Sequence, residues 1–276
     1  MVLIIVNIYK IYLLYIEADL IYFALSYLID AIVMAIGFIL VYKKENLDIT
    51  KWSFDKNIAK ELLKDSWPLL LSGIVVNIYM KIDQVMIKSF LTASDVGYYA
   101  VATRLVEAWY FIPTILSSTF APAIIKAHKR SLKLFNQRLI RLYSLYLWVS
   151  IIVTIFMILS AKFLILLLFG EQYLASIIVL QIYALSVIAT FVGMATSQYL
   201  IAKNLTKLSF YRTLTGMLAN VLLNLILIPR FGIIGAAIAT VVSYNLALFI
   251  TFFFKDFKIQ NKNLLKSINI LSMWRQ

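Results

Sequence analysis

Apolar residues run along this chain in blocks of about twenty, broken by short charged stretches. At about 1.5 Å of helical rise per residue, such a block crosses the roughly 30 Å of hydrocarbon in a bilayer. The pattern predicts eight helical spans, at residues 1–16, 20–42, 67–90, 96–125, 142–169, 175–201, 208–228 and 233–254. The first block has the length of a signal peptide, yet it lacks a basic leading segment and a small-residue cleavage site before the next span. It reads as a transmembrane helix whose upstream neighbours are missing. The fifth block is long because a short apolar piece, Phe163 to Phe169, follows Lys162 and suits either the end of a span or the interface.

Between the second and third spans, residues 43–66 alternate Lys with Asp and Glu and place Phe54, Ile58 and Leu62 four apart, on one helical face. That spacing predicts an amphipathic helix on the membrane surface. Pro68 then opens the next span, where its missing N–H costs little. The expected organisation is two helices in residues 1–42, a surface linker in 43–66, six helices in 67–254 and a basic tail in 255–276.

Composition turns the pattern into a class. With 63% apolar and 14% charged residues and a mean hydropathy of +0.90, the chain is far more apolar than the roughly 45–50% of soluble domains. The fold class is all-α, a polytopic transmembrane bundle. A net charge of +13 suggests nucleic acid only if the bases gather on one folded face; here they sit between apolar blocks, and no nucleic-acid partner is expected. Lys43, Lys44, Lys51, Lys56, Lys60 and Lys64 fall in one set of alternate connections with Lys126, Lys129, Arg130, Lys133, Arg138 and Arg141. Lys203, Lys207 and Arg212, and Lys255, Lys258, Lys262, Lys266 and Arg275, complete that set of twenty. The opposite set holds three, Lys88, Lys162 and Arg230. Basic loops stay in the cytoplasm, so this asymmetry predicts a cytoplasmic carboxyl terminus.

Several chemistries lack their residues. With no cysteine, there is no disulfide framework or thiolate metal site, and the sole histidine, His128, lies in a Lys/Arg-rich stretch and reads as solvated. Absence of a G-x-x-x-x-G-K-[ST] loop argues against ATP hydrolysis, and neither H-E-x-x-H nor a glycine-rich dinucleotide turn occurs. The expectation is a non-enzymatic protein without cofactor or metal.

Polar groups inside the spans carry the functional signal. Lys10, Asp30, Lys81, Asp83, Arg104 and Glu107 lie there, each costing roughly 2.5–3.5 kcal/mol at the bilayer centre on insertion scales, so they avoid lipid. Lys81 lies nine residues before Phe90 and Arg104 nine after Asp95, about 13 Å below the turn joining the two spans. Asn77, Lys81, Gln84 and Lys88 form one stripe; Arg104 and Glu107 share a face. Either Lys81 or Arg104 pairs with Asp83 or Glu107, or the stripe lines a cavity whose cations attract an anionic headgroup. A stripe of Ser186, Thr190, Gly193 and Ser197 reads as close helix packing, whereas Thr213, Gly216, Asn220 and Asn224 fit either cavity lining or interhelical hydrogen bonding. Gly232, Gly235, Ala236 and Ala239 read as close packing. Pro113 and Pro122 permit a kink in the fourth span.

The runs Ser66-Trp67-Pro68-Leu69-Leu70-Leu71-Ser72-Gly73, Lys81-Ile82-Asp83-Gln84-Val85-Met86-Ile87 and Val96-Gly97-Tyr98-Tyr99-Ala100-Val101-Ala102-Thr103-Arg104, followed by Ile112-Pro113, resemble the second half of O-antigen and polysaccharide flippases of the Wzx type. So do Phe169-Gly170-Glu171-Gln172-Tyr173, Leu223-Asn224-Leu225-Ile226-Leu227-Ile228-Pro229-Arg230-Phe231-Gly232 and Gly235-Ala236-Ala237-Ile238-Ala239-Thr240. These flippases belong to the multidrug/oligosaccharidyl-lipid/polysaccharide (MOP) exporter superfamily. The resemblance covers Leu20 to about Phe254 and implies a MATE-like second lobe preceded by the last two helices of the first. It further implies alternating access in a bacterial inner membrane, moving an undecaprenyl-pyrophosphate-linked oligosaccharide of the O-antigen or capsule kind. Membrane lipids and other polysaccharide-assembly proteins are the further partners it suggests. Asn77, Lys81, Gln84, Lys88, Arg104, Asn220 and Asn224 become candidate substrate-binding residues, and Asp83 and Glu107 candidate ion-coupling carboxylates. Full members have about a dozen spans, so this chain reads as amino-terminally truncated. The alternatives are an ion-coupled multidrug exporter of the same superfamily, a non-functional remnant, or a membrane polysaccharide polymerase, for which the outer connections are too short.

Overall fold

The computed structural model describes residues 2–45, 53–253 and 257–269. Among these residues the chain forms ten α-helices and no strand, and it divides into two compact units, Met1–Lys64 and Asp65–Gln276.

In the first unit, α1 (Val2–Tyr15) packs on α2 (Leu20–Lys44) across a turn in which Glu17 takes a positive φ. Apolar side chains such as Tyr27, Leu28, Met34 and Phe38 stay exposed around α2, as on a helix whose solvent is lipid. The Lys10 ammonium lies 4.9 Å from the centre of the Tyr27 ring, a cation–π contact that gives this intramembrane charge a partner. The surface helix expected in 43–66 falls partly outside the described residues. From Lys56 onward its sequence belongs to α3 (Lys56–Phe90), one continuous helix, so the helix begins a dozen residues before Pro68 instead of opening there.

The second unit continues with α4 (Ala93–Glu107), α5 (Phe111–Arg130), α6 (Leu132–Phe169), α7 (Ser176–Ala184), α8 (Ser186–Ala202), α9 (Thr206–Phe249) and α10 (Lys258–Ser267). Thr92 and Asp95 start α4 with a reciprocal capping box, which satisfies two amide donors that the first turn leaves open. A 3₁₀ turn at Ala108–Tyr110 joins α4 to α5; Pro113, two residues into α5, lacks the N–H that would have closed an unbroken helix there. The predicted bend therefore sits just before Pro113, while Pro122 is accommodated inside α5. The piece at 163–169 is the end of α6, not a separate interfacial segment. At 44 residues α9 would be about 66 Å long if unbroken, twice a bilayer, but it breaks at Gly232, whose φ of 59° and ψ of −141° leave the helical region. Its two arms are the predicted seventh and eighth spans. Gly235 packs directly against the Leu227 carbonyl, and Ala236 and Ala239 are fully buried, as the close-packing reading expects.

Six helical stretches among the described residues are long and apolar enough to cross a membrane, α9 being counted once. Together with the second arm of α9 and the shorter α1, they give about eight passes. The core of the second unit is aromatic: Tyr143, Tyr146, Tyr199, Phe135 and Phe191 are fully buried where α6 packs on α8, and Tyr99 of α4 is fully buried against Tyr183 of α7. Two expectations change here. His128 is not a solvated loop residue; it ends α5, half-buried, with its ring 4.8 Å from that of Phe135. The tail contains α10, whose Gln260, Asn263 and Ser267 are buried and bonded to Thr196, Asn136 and Ser144, leaving Lys258, Lys262 and Lys266 exposed.

Candidate functional site

Helix α3 presents two unlike faces, because residues two apart are about 200° apart around a helix. Asn77, Lys81 and Lys88 are exposed and Gln84 is half-buried, whereas Tyr79, Asp83 and Ile87 are buried on the opposite side. The predicted stripe exists, and the same geometry keeps Lys81 from pairing with Asp83.

Lys81 instead meets Glu107 of α4, Nζ to Oε2 at 3.7 Å, with the lysine side chain 59% exposed. Arg104, exposed and one turn before Glu107, adds its field to the same carboxylate. Two cations thus flank one carboxylate on an open face, leaving net positive charge there. Asn77 spends its amide donor on the Gly73 carbonyl at 2.9 Å and keeps its oxygen free to accept.

The buried face of α3 builds a different site. The Asp83 carboxylate accepts three hydrogen bonds, each of 2.6 Å: from the Tyr99 hydroxyl of α4, from the Thr240 hydroxyl of the second arm of α9, and from Asn224 Nδ2 of the first arm. Asn224 Nδ2 also reaches Asn220 Oδ1 at 3.1 Å, and Asn220 Nδ2 reaches Thr240 Oγ1 at 3.4 Å. Asp83, Asn220, Asn224 and Thr240 are almost fully buried. Asp83 forms no ion pair among the described residues, and Asn224 Oδ1 is buried without a partner there. A lone buried carboxylate is costly unless hydrogen-bonded and matched by a cation. Here the hydrogen bonds are present, and none of the described residues supplies the counter-charge.

The structure therefore sorts the candidates into two sites. Lys81, Gln84, Lys88, Arg104 and Glu107 belong to the open face, with Asn77 on the same side of α3. Asn220 and Asn224 do not join that face; they leave it for Asp83. Asp83 and Glu107 differ in their surroundings, since Glu107 is paired with a lysine and Asp83 is held by hydrogen bonds. Sequence reasoning missed Tyr99 and Thr240, whose signal was a hydroxyl on the face turned toward Asp83. It also miscounted Arg212 as a loop cation although it lies inside the span at 208–228. Arg212 donates from Nη1 to the Gly193 carbonyl and from Nη2 to Ser197 Oγ, both at 3.1 Å. Thr190, Gly193 and Ser197 consequently line a cavity with Arg212 and Thr213, which corrects the close-packing reading of that stripe.

These helices define a multi-pass membrane protein with the fold of the MOP superfamily. An outward-facing MATE family transporter of that superfamily superposes with a TM-score of 0.57 at 18% identity, covering 76% of this chain and 52% of its own. The lipid II flippase MurJ, in an inward closed conformation, superposes with a TM-score of 0.64 at 21% identity, covering 89% of this chain and 53% of its own. The family described as polysaccharide biosynthesis protein matches residues 1–178, and the chain belongs to it. The probable low-salt glycan biosynthesis flippase Agl15 of Haloferax volcanii is 31% identical over 209 residues, covering 73% of this chain and 42% of Agl15. The chain spans about half the length of the curated relatives it matches.

Proposed function

We propose that this chain provides the second lobe, and the two helices before it, of a flippase that moves a polyprenyl-pyrophosphate-linked oligosaccharide across the cytoplasmic membrane by alternating access. Undecaprenyl is the carrier a bacterial membrane would offer. The carboxyl terminus faces the cytoplasm and the protein performs no covalent chemistry. The observation that carries the reading is the open face of Lys81, Lys88 and Arg104. Of these, Lys81 and Arg104 lie about 13 Å inside the bilayer, where an exposed cation requires water or an anion rather than lipid, and a pyrophosphate headgroup supplies one. Membership of the polysaccharide biosynthesis family supports the sugar cargo. Asp83 is the coupling carboxylate: one negative charge among the neutral oxygens of Asn220, Asn224 and Thr240 matches a single small cation, a proton or an alkali ion.

The test is flipping of a fluorescent lipid-linked oligosaccharide in vesicles, for this chain completed with the first lobe of a full-length relative. Arg104→Lys loses the bidentate fork and should slow flipping; Arg104→Ala loses the charge as well and should slow it more. A folded Arg104→Ala protein flipping at the parental rate removes the headgroup assignment, and faster movement of organic cations than of the lipid favours a drug exporter.

A further inference from the structure

One helical turn from Asp83 lies Tyr79, and one turn from Thr240 lies Tyr244. Their rings pack edge to face at 4.7 Å and 78°. Beyond this aromatic layer is a separate cavity of about 360 Å³, bounded by α3, the α4–α5 junction, α8 and both arms of α9. Its size is within the roughly 300–1,000 Å³ of small-molecule sites.

The cavity holds one charge. Arg212 reaches from α9 to α8, where the guanidinium lies over Gly193; a Cβ there would be in ordinary contact with Nη1 at 3.7 Å, so only a larger side chain would displace it. The bonds to Gly193 and Ser197 occupy two of the five guanidinium N–H groups. No carboxylate lies within ion-pair distance of Arg212 among the described residues. An inward cation without a counter-ion is the state that low-dielectric surroundings penalise and an anionic ligand relieves.

The remaining lining says what the anion is attached to. Thr114, Thr190, Ser197 and Thr213 each give their hydroxyl proton to the carbonyl four residues back, at 2.7, 2.9, 3.1 and 3.0 Å. Their oxygens are therefore left as acceptors. The Tyr79 and Tyr110 hydroxyls are buried and make no well-formed hydrogen bond among the described residues, only loose approaches to Ser243 and Thr190, so a ligand oxygen can compete for their protons. Acceptors for several hydroxyl groups, tyrosine rings for an apolar ring face and a guanidinium for one anion match a polyhydroxylated ring bearing an acid. Inorganic phosphate leaves the aromatic walls unused, and an organic cation is repelled by Arg212.

We propose that this cavity binds an acidic pyranose, its carboxylate or phosphate on Arg212 and its hydroxyls on the threonine and serine oxygens of α5, α8 and α9. The assignment of that sugar to a transported glycan rests on the flippase reading above; the binding itself does not.

The experiment is calorimetric titration of the full chain in lipid nanodiscs with glucuronate, glucose 6-phosphate and glucose. At least one anionic sugar should bind tenfold or more tightly than glucose, and which of the two wins identifies carboxylate or phosphate as the acid. Arg212→Gln should reduce that binding at least tenfold, and Arg212→Lys should weaken it while keeping the preference for the anion. Gly193→Leu, which puts a side chain where the guanidinium lies, should abolish it. Equal affinity for glucose and both acids overturns the proposal, as does a folded Arg212→Gln protein that binds like the parent. If Arg212→Gln does not fold, Gly193→Leu decides, and undiminished binding by it is equally fatal. Arg212-dependent binding without lipid flipping removes the flippase reading and keeps this site; flipping without acidic-sugar binding does the reverse.

Discussion

Replacing Asp83 separates its charge from its hydrogen bonds. In Asp83→Asn the remaining oxygen still accepts from Tyr99 and Thr240, which share one carboxylate oxygen, Oδ2. The new amide faces Asn224 Nδ2, donor against donor, but Asn224 can turn over and offer its Oδ1, which is buried and unpartnered among the described residues. That turn-over replaces the 2.6 Å bond from Asn224 by one from the new amide and loses the 3.1 Å bond to Asn220, a net loss of one hydrogen bond, so the predicted destabilisation is about 1 kcal/mol, against which the removed burial of a charge works. Asp83→Ala removes the acceptor altogether. Tyr99 falls back on Thr240 Oγ1 at 3.3 Å, Thr240 on the Ala236 carbonyl at 3.1 Å and Asn224 on Asn220. These poorer bonds and the emptied space lead to a loss of about 2–4 kcal/mol, against which the removed burial of a charge works. A cation bound by Asp83 stabilises the parent by about 2.7 kcal/mol at a hundred times its dissociation constant, and should do nothing for Asp83→Asn. The assay is thermal unfolding by tryptophan fluorescence in detergent, with sodium exchanged for a large organic cation and then with pH varied. Parental response to sodium identifies an alkali ion, and response to pH alone a proton. The reasoning fails if Asp83→Asn unfolds as readily as Asp83→Ala, or if it keeps the parental cation response.

Gly232→Ala should cost about 1–3 kcal/mol in the same unfolding assay, because the φ of 59° with ψ of −141° is open essentially to glycine alone. Leu91 Cδ1, 3.9 Å from where the new Cβ would sit, leaves room, so an unchanged midpoint would mean that the turn between the arms of α9 is not held as described. Reporter fusions near Arg130 should score cytoplasmic and a fusion near Glu171 should score outside; the reverse at either position overturns the orientation.

The sequence by itself determined the class and about eight passes, since these follow from the length of the apolar blocks. Helical periodicity also put Asn77, Lys81, Gln84 and Lys88 on one side of α3, but it left open whether Lys81 pairs with Asp83 or with Glu107. What periodicity along single helices cannot supply is which faces meet. Asn220 and Asn224 were recognisable as one polar stripe, yet only the packing of both arms of α9 against α3 and α4 turned that stripe toward Asp83 and brought Tyr99 and Thr240 to it. The Ser186 to Ser197 stripe had the spacing of a packing seam. It lines a cavity because Arg212, from a helix adjoining α8 in space, lies across Gly193, and such a contact between spans is a property of the tertiary structure alone.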